Sequence, residues 1–195
     1  LKAITENMDS AISADIDPHR VNIVIPGDFA LPADGVHGRW PDKPLEQELR
    51  LNKYKIYAAR EFARVNGLNR IVIDSPRPRF GIITTGKAYL DVMQALEDMG
   101  ITGAVAAEIG LRVYKVGMPW PLEPRSTHEF AEGLEEILVV EEKRSIIEDQ
   151  LTGQLYNSPV AARPRVIGEF DECGRDLLPN LAELTPAMVA LAIAS

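Results

Sequence analysis

The sequence predicts an α/β protein built on a mostly parallel sheet. After Pro78, short apolar strands alternate with amphipathic helices, and glycine or proline residues separate the units. Residues 137–140 form a near-continuously apolar strand, which is typical of a parallel strand buried on both faces of its sheet. We therefore expect a three-layer α/β/α sandwich with a mostly parallel sheet over residues 76–195.

Residues 1–44 are expected to form a connecting arm rather than a domain. They are rich in proline and glycine, and the strand-like residues 21–25 interrupt that pattern. Because the arm lacks a core of its own, we expect it to pack across the sandwich or across a neighbouring chain.

A helical period begins at Leu45. One apolar stripe with spacings of three and four consists of Leu51, Tyr54, Ala58, Phe62 and Val65. The basic residues that lie off this stripe are Arg50, Lys53, Arg60 and Arg64. A solvated surface explains them best, although an acidic partner or a nucleotide phosphate would also fit them. A short buried strand is then predicted at residues 71–73.

Four strands are predicted after Pro78, at residues 80–85, 111–116, 137–140 and from 166. A helix at residues 87–99 connects the first two, and Gly100 ends it. Residues 117–124 follow the second strand as a loop that its prolines stiffen.

Three further helices are predicted from their caps and apolar stripes. Ser126 and Glu129 have the spacing of a capping box, and the inner face of that helix would consist of Phe130, Leu134 and Ile137. The stripe that predicts the next helix consists of Ile147, Leu151 and Leu155. Thr185 followed by Pro186 predicts the N-cap and the first turn of the last helix.

Composition excludes several classes of protein. The chain has 195 residues, and its hydrophobic fraction of 46% disfavours global disorder. Its formal net charge of −8 disfavours nonspecific binding to nucleic acid. Its apolar runs are strand-sized, so we expect no membrane span. Cys173 is the one cysteine, so the chain alone forms no disulfide and no multi-cysteine metal centre. A cytoplasmic location is the expected default, because no signal peptide is visible.

An incomplete phosphate-binding motif lies at residues 81–88. The motif requires Ser or Thr after its lysine, to hold magnesium, whereas Ala88 follows Lys87 here. The motif should also follow a strand, but Ile82 and Ile83 are predicted to lie within one. A strand-to-helix turn at Gly86 therefore explains these residues better than nucleotide binding does.

Four other residues are candidates for a ligand site or an interface. Glu141 and Glu142 follow a parallel strand, at the edge where open α/β sheets bind ligands, although a solvated strand end or the charge of a helix N-terminus explains them more simply. Trp120 and Glu123 lie in the proline-stiffened loop, where Trp120 would anchor an interface or fill the core.

The histidines and the cysteine carry no predicted site. His19, His37 and His128 lack the spacing of metal ligands. Cys173 lies in an acidic stretch that disfavours the thiolate form a nucleophile needs. We therefore assign no catalytic residue, no cofactor-binding residue and no metal ligand to this chain.

Several motifs, in order along the chain, resemble the 2-oxoacid:ferredoxin oxidoreductase family. They are GIITTGKAYLDV at residues 81–92, VGMPWPLEP at 116–124 and LVVEEK at 138–143. Residues 1–10 and 39–42 also resemble the family, most closely its long single-chain bacterial branch that acts on indolepyruvate. Residues 76–195 resemble the transketolase C-terminal-like domain, a three-layer α/β/α sandwich. Residues 1–75 resemble the end of the preceding pyrimidine-binding domain and its linker.

The resemblance implies a parent enzyme that uses thiamine diphosphate and magnesium to decarboxylate an aryl-pyruvate. Electrons would pass through an iron–sulfur cluster to ferredoxin, and the acyl group would pass to coenzyme A. The chain departs from this pattern, since it has one cysteine and no Gly-Asp-Gly diphosphate motif. We therefore expect it to bind none of these cofactors, to be inactive alone, and to contact the remaining domains of a homo-oligomeric parent.

Two functions stay open at this point. The first is a non-catalytic structural and interface domain of such an enzyme. The second is a stand-alone α/β ligand-binding or regulatory module, with its site at residues 81–87 or at Glu141 and Glu142. The first is favoured because Leu1 stands in place of an initiator Met and an apolar run stops at Ser195, as expected of a piece of a longer protein.

Overall fold

A computed structural model of the chain describes residues 23–24 and 30–195. One sheet contains five strands, which are β1 (Arg70–Ile73), β2 (Phe80–Thr85), β3 (Leu111–Val116), β4 (Glu136–Val140) and β5 (Arg165–Ile167). Their order across the sheet is β1-β3-β2-β4-β5. All neighbouring strands pair in parallel except β1, which pairs with β3 antiparallel. The predicted mostly parallel sheet is therefore confirmed.

The helices begin with one long helical run, in which a π turn (Leu51–Lys55) joins α1 (Pro44–Arg50) to α2 (Ile56–Val65). The others are α3 (Gly86–Asp98), α4 (Gly103–Ile109), α5 (Pro124–Ala131), α6 (Ile146–Leu155) and α7 (Pro186–Ala194). A short 3-10 helix at Val160–Ala162 precedes β5. Within the described residues, no helix has the length and hydrophobicity that a membrane crossing requires.

Two apolar cores, one on each face of the sheet, establish the three layers. Successive strand residues point to opposite faces, so β2 contributes Ile82 to one core and Ile83 to the other. The first core is completed by α3, α4 and α7, and the second by α5 and α6. β4 contributes to both cores in the same way, which explains why its residues 137–140 are all apolar. The predicted α/β/α sandwich is confirmed.

Most predicted element positions are confirmed. The strands expected at 80–85 and 111–116 coincide with β2 and β3, and those expected at 137–140 and from 166 lie at β4 and β5. Thr185 caps α7, because its hydroxyl accepts a hydrogen bond from the backbone N–H of Met188. The helical run from residue 44 to residue 65 contains the apolar stripe predicted there.

The start and the end of α5 differ from the prediction. Its N-cap is Glu123, so the capping box expected at Ser126 is wrong. The helix ends before Leu134, and Ile137 lies in β4, so the expected inner face is not helical. Phe130, Leu134 and Ile137 still pack in one core, because the turn after α5 returns the chain directly to the sheet.

Two further differences concern α4 and β1. No predicted element corresponds to α4, because its short alanine-rich run has no apolar stripe. Residues 71–73 do form a strand, but their expected burial is wrong, since β1 is an edge strand with Ile71 exposed. The pairing of β1 with β3 also shifts register between Ile71 and Ile73.

The expected arm lies largely outside the described residues. Of residues 21–25, only Ile23 and Val24 are described, and neither is in a strand. The Val24 backbone exchanges two hydrogen bonds with the Asn66 side chain, of 2.7 and 2.8 Å, which ties it to the end of α2. β1 precedes the boundary expected at residue 76 and belongs to the sheet; a boundary between 1–75 and 76–195 stays a prediction.

Candidate functional site

The sequence candidates lie along one edge of the sheet, at which β3, β2 and β4 end. We call this the carboxyl edge and define it as residues 85–87, 117–123 and 141–145. The chain leaves β2 toward β3 but leaves β4 toward β5, so the connections diverge between β2 and β4. In open α/β sheets, such a point of divergence is where ligand-binding crevices form.

Lys87 forms several ion pairs at this point of divergence. Its Nζ lies 2.8 Å from Asp91 Oδ2, 3.1 Å from Glu183 Oε1 and 3.9 Å from Glu142 Oε1. It also donates a hydrogen bond of 2.8 Å to the Leu184 carbonyl. Burial lowers the pKa of Lys87, but the hydrogen bonds to Asp91 and Glu183 outweigh this effect and raise the pKa above its usual value. The lysine is therefore a constant cation that ties α3 to the segment before α7.

Residues 81–88 do not form a phosphate-binding loop. Ile82 and Ile83 lie within β2 and are fully buried, and α3 begins directly after the strand, at Gly86. Ala88 is buried in a core and offers no hydroxyl for magnesium. The predicted strand-to-helix turn is confirmed.

Glu141 accepts hydrogen bonds at the start of α6. Its carboxylate oxygens accept from the backbone N–H of Ile147 at 2.9 and 3.0 Å and from that of Glu148 at 3.0 Å. Burial raises the pKa of Glu141, and the backbone hydrogen bonds oppose this only in part. Glu142 accepts from the backbone N–H of Leu184 at 3.3 Å. Both candidate glutamates are thus engaged by donors of this chain.

Glu123 caps α5 from a buried position. It is 1% exposed, and it accepts hydrogen bonds from the backbone N–H groups of Arg125 (2.9 Å) and Ser126 (2.7 Å) and from the Ser126 hydroxyl (2.5 Å). The Tyr114 hydroxyl donates to Ser126 Oγ at 2.8 Å. Burial raises the pKa of Tyr114 to about 12, so the hydroxyl stays protonated and keeps donating at neutral pH. This buried network links β3 to α5.

The loop between β3 and α5 exposes Trp120 to solvent. Trp120 is 59% exposed, whereas Leu122, two residues later, is fully buried. Gln150 of α6 fixes the loop on both sides of the tryptophan, because its Nε2 donates to the Pro119 carbonyl and its Oε1 accepts from the Leu122 N–H, each at 2.8 Å. Trp120 therefore projects from a loop that the core holds in place.

Two residues that support this loop carry no signal in the sequence. One is Gln150, and the other is Asn69, whose Oδ1 accepts from the backbone N–H groups of Gly117 (2.9 Å) and Met118 (3.0 Å). Asn69 is 7% exposed. Because each acts on a segment far away in sequence, no local pattern marks either residue.

A narrow cleft beside the carboxyl edge, with a volume of about 10 Å³, is lined by several glutamates. They are already bonded to the chain, since Glu148 accepts from the Glu169 N–H at 3.2 Å and Glu169 accepts from the Ser145 hydroxyl at 3.2 Å and from the Asn180 amide. In the described part of the chain, no group of three or more His, Cys, Asp or Glu residues could hold a metal ion. The arrangement fastens loops and helix ends together, and we find no nucleophile paired with a base along the carboxyl edge.

Residues 69–195 match a family model described as the indolepyruvate ferredoxin oxidoreductase middle domain. The match covers well over half of the chain and includes all five strands. The chain belongs to this family. The resemblance to the 2-oxoacid:ferredoxin oxidoreductases that its motifs indicate is thereby confirmed.

Curated relatives of this middle domain are named indolepyruvate oxidoreductase subunit IorA. The Pyrococcus abyssi protein is 28% identical over 116 residues, which are 60% of this chain and 16% of that relative. The Methanothermobacter marburgensis protein is 31% identical over 97 residues, which are 50% of this chain and 14% of that relative. The chain therefore spans a small fraction of the length of the relatives it matches.

Two solved structures share a distant likeness with the middle domain. One is the 2-oxoglutarate:ferredoxin oxidoreductase from Magnetococcus marinus, with a TM-score of 0.47, 16% identity, and coverage of 78% of this chain and 23% of that chain. The other is a split-gene transketolase, with a TM-score of 0.44, 15% identity, and coverage of 65% and 40%. The fold assignment rests on the sheet order and the two cores.

Proposed function

We propose that this chain is a structural and interface domain of a thiamine diphosphate-dependent 2-oxoacid:ferredoxin oxidoreductase. The parent enzyme would oxidatively decarboxylate indolepyruvate or a similar aryl-pyruvate, transfer electrons to ferredoxin and form an acyl-coenzyme A. The family match and the IorA relatives support this class of enzyme. The role proposed for this chain is to connect the remaining domains of the parent, without taking part in bond making.

The proposal rests on the charged side chains of the carboxyl edge, which already have partners within the chain. Glu123, Glu141 and Lys87 are each engaged by donors or acceptors of the chain itself, at positions where an α/β enzyme would present them to a ligand. A general acid or base must reach its substrate with a free atom. Side chains that already act as helix caps and ion pairs have no free atom for a substrate, which supports a structural role for this chain.

The residues of the chain also fit the parent's cofactors poorly. Iron–sulfur clusters need several cysteine thiolates, and the chain has only the exposed Cys173. Magnesium with a diphosphate needs oxygen ligands in near-octahedral geometry, and the described glutamates of the carboxyl edge are committed to backbone N–H groups and Lys87. We therefore propose that thiamine diphosphate, magnesium, the iron–sulfur cluster and coenzyme A are held by other parts of the parent.

The alternative function, a stand-alone ligand-binding module, would need an accessible site at residues 81–87 or at Glu141. Gly86 and Lys87 form a strand-to-helix turn, and Glu141 lies at the helix N-terminus that an anionic ligand would use. Both observations favour the structural domain over the module.

Calorimetric titration of the 195-residue chain with thiamine diphosphate and magnesium tests the proposal. We expect no saturable binding, and no release of carbon dioxide from indolepyruvate in the presence of a ferredoxin substitute. Micromolar binding or turnover would contradict it. The Lys87→Met variant locates any binding that is observed. Binding that this variant abolishes would lie at the point of divergence between β2 and β4.

We also propose that Trp120 anchors the contact with a neighbouring domain of the parent. Large aromatic groups on fixed loops are frequent anchors of interfaces, because little side-chain entropy is lost when they bind. The hydrogen bonds of Gln150 fix the loop before any partner arrives. The proposed organisation keeps residues 1–75 as the end of the preceding domain with its linker and helix, and residues 76–195 as the transketolase C-terminal-like domain.

A further inference from the structure

Two cavities adjoin along the β5 side of the sheet. One, of about 490 Å³, is lined by apolar residues that include Phe170, Leu177 and Leu181. The other, of about 520 Å³, lies where β2, β4 and β5 begin, and its apolar lining includes Ile193 of α7. Asp176 and Leu177 line both cavities and therefore stand between them. We define the β5 surface as the lining of these two cavities.

The β5 surface exposes large apolar side chains on a backbone that is held in place. Phe170 is 45% exposed and Leu181 is 78% exposed. The backbone N–H of Leu177 donates to the Glu169 carbonyl at 2.9 Å, and Phe170 pairs with Asp176 in an antiparallel bridge. A partner therefore meets cavities that are already formed, which reduces the entropy lost on binding.

Carboxylates outnumber cationic groups on the β5 surface, which contains five carboxylates and two arginines. Arg165 lies 3.1 Å from Glu136 Oε2 and 3.6 Å from Glu172 Oε1. Arg175 Nε lies 2.6 Å from Asp171 Oδ2. Because both arginines are paired with carboxylates of this surface, an excess of negative charge is left.

The excess negative charge lies at Asp176. Among residues 23–24 and 30–195, no ion pair and no hydrogen bond engages the Asp176 carboxylate. Glu169, in contrast, accepts hydrogen bonds from two other side chains. Lys143 and Arg144 line a separate cavity with Glu169 and do not belong to the β5 surface. The unpaired carboxylate therefore stands between two apolar cavities.

We propose that the β5 surface binds an extended peptide segment of a partner protein, in which a basic side chain lies between two large apolar side chains. The apolar side chains enter the two cavities, and the basic side chain pairs with Asp176. Such a segment is complementary to the surface in both shape and charge. The contact is separate from the one proposed for Trp120, because the larger cavity lies at the amino edge of the sheet and Trp120 at the carboxyl edge.

Fluorescence anisotropy with fluorescein-labelled peptides and the 195-residue chain tests the proposal. The probes are GSGLKLGSG, GSGLKKLGSG and GSGLKKKLGSG, in which one, two or three lysines separate two leucines. At least one probe should bind saturably, with a dissociation constant below about 500 µM, as expected of a contact made through two small cavities. Replacing its lysines by glutamate, or its leucines by serine, should weaken binding at least about tenfold.

Two variants of the chain test where the probe binds. Asp176→Lys should weaken binding of the lysine probe at least about tenfold, and should bind the glutamate probe more tightly than the wild type does. This exchange of preference also shows that the variant is folded. Leu181→Ser should weaken binding of the lysine probe about fivefold, because one cavity loses part of its apolar lining.

The control variants carry the same kinds of change at exposed sites on α3, outside the β5 surface. Glu97→Lys and Leu90→Ser should bind the lysine probe as the wild type does. The proposal is overturned by no saturable binding, by equal binding of the glutamate or serine probes, or by an effect of Glu97→Lys as large as that of Asp176→Lys. A chain that dimerises in sedimentation velocity, and no longer does so as Asp176→Lys, would assign the surface to a second copy and also overturn the proposal.

Discussion

Individual carboxylates at the carboxyl edge serve as caps and tethers for the helices. Glu123 holds the start of α5 and Glu141 the start of α6, each by accepting backbone N–H groups that have no partner inside the helix. Negative charge at these positions also interacts favourably with the positive end of the helix dipole. The same residues that resemble a candidate active site are therefore accounted for by the folding of two helices.

The pH dependence of stability should report the burial of Glu141. Its pKa is raised in the folded chain, so the folded state holds this proton more tightly than the unfolded state does. The stability that this proton contributes is fully present below the ordinary glutamate pKa and is lost as the pH rises through the folded value. Glu141→Gln, which cannot ionise, should therefore gain unfolding free energy relative to wild type as the pH rises above the ordinary glutamate pKa.

Urea unfolding at several pH values, followed by circular dichroism, measures this difference. A wild-type chain that gains stability over Glu141→Gln as the pH rises would contradict the burial argument. Replacement by alanine instead removes the acceptor altogether, and should cost about 1 kcal/mol below the ordinary glutamate pKa because the cap is lost.

Some residue roles follow from the sequence and others do not. Thr185 with Pro186 is a local pattern, and the structure confirms it. The predicted N-cap of α5 is wrong because Ser126 has the more usual cap chemistry, although Pro124 at the first helical position marks the true start. The roles of Asn69 and Gln150 depend on contacts between distant segments, which no local pattern contains.

At the scale of elements, the approach of α5 to the sheet depends on Gly81 in β2. A Cβ atom at this position would lie 2.5 Å from Leu134 Cδ1 and 2.9 Å from Phe130 Cζ, both in a packed core. Gly81→Ala should therefore destabilise the chain by about 1–3 kcal/mol, because the core must shift to admit the methyl group. Chemical denaturation monitored by circular dichroism gives the value.

Gly153 is the matched control, since it lies in α6 and a Cβ atom added there would meet no other atom within 4 Å. Gly153→Ala should stabilise the chain by about 0.5–1 kcal/mol, because alanine is the better helix former. Equal effects of the two substitutions would show that α5 does not pack as closely on β2 as the structure indicates.

Long elements with strong patterns could be predicted, whereas short ones and their arrangement could not. Residues 137–140 of β4 are apolar because the strand faces two cores, and this pattern is visible in the sequence. α4 has seven residues and no stripe, so it shows no such pattern. The strand order, and the antiparallel pairing of β1, depend on which strands meet in space, which the alternation of elements leaves open.

For the whole molecule, both tryptophans lie at the surface. Trp40 is 94% exposed and Trp120 is 59% exposed. We therefore expect fluorescence emission close to that of tryptophan in water, efficient quenching by acrylamide, and little shift in wavelength on unfolding. Trp40→Phe isolates the signal of Trp120, whose quenching should fall when the remaining domains of the parent bind. A blue-shifted, protected Trp120 in the free chain would contradict its exposure and remove the proposed anchor.

The irregular register of β1 bears on how the chain behaves when it is concentrated. An edge strand offers a row of unpaired backbone groups, and a flat, regular edge invites pairing with a strand of another chain, which extends the sheet and precedes fibrils. The shift between Ile71 and Ile73 bends that row, and the exposed charge of Arg70 stands at its beginning. At the opposite side, β5 is only three residues long. Neither edge strand is therefore a good template for fibril growth. We expect the domain to resist aggregation when it is separated from its parent.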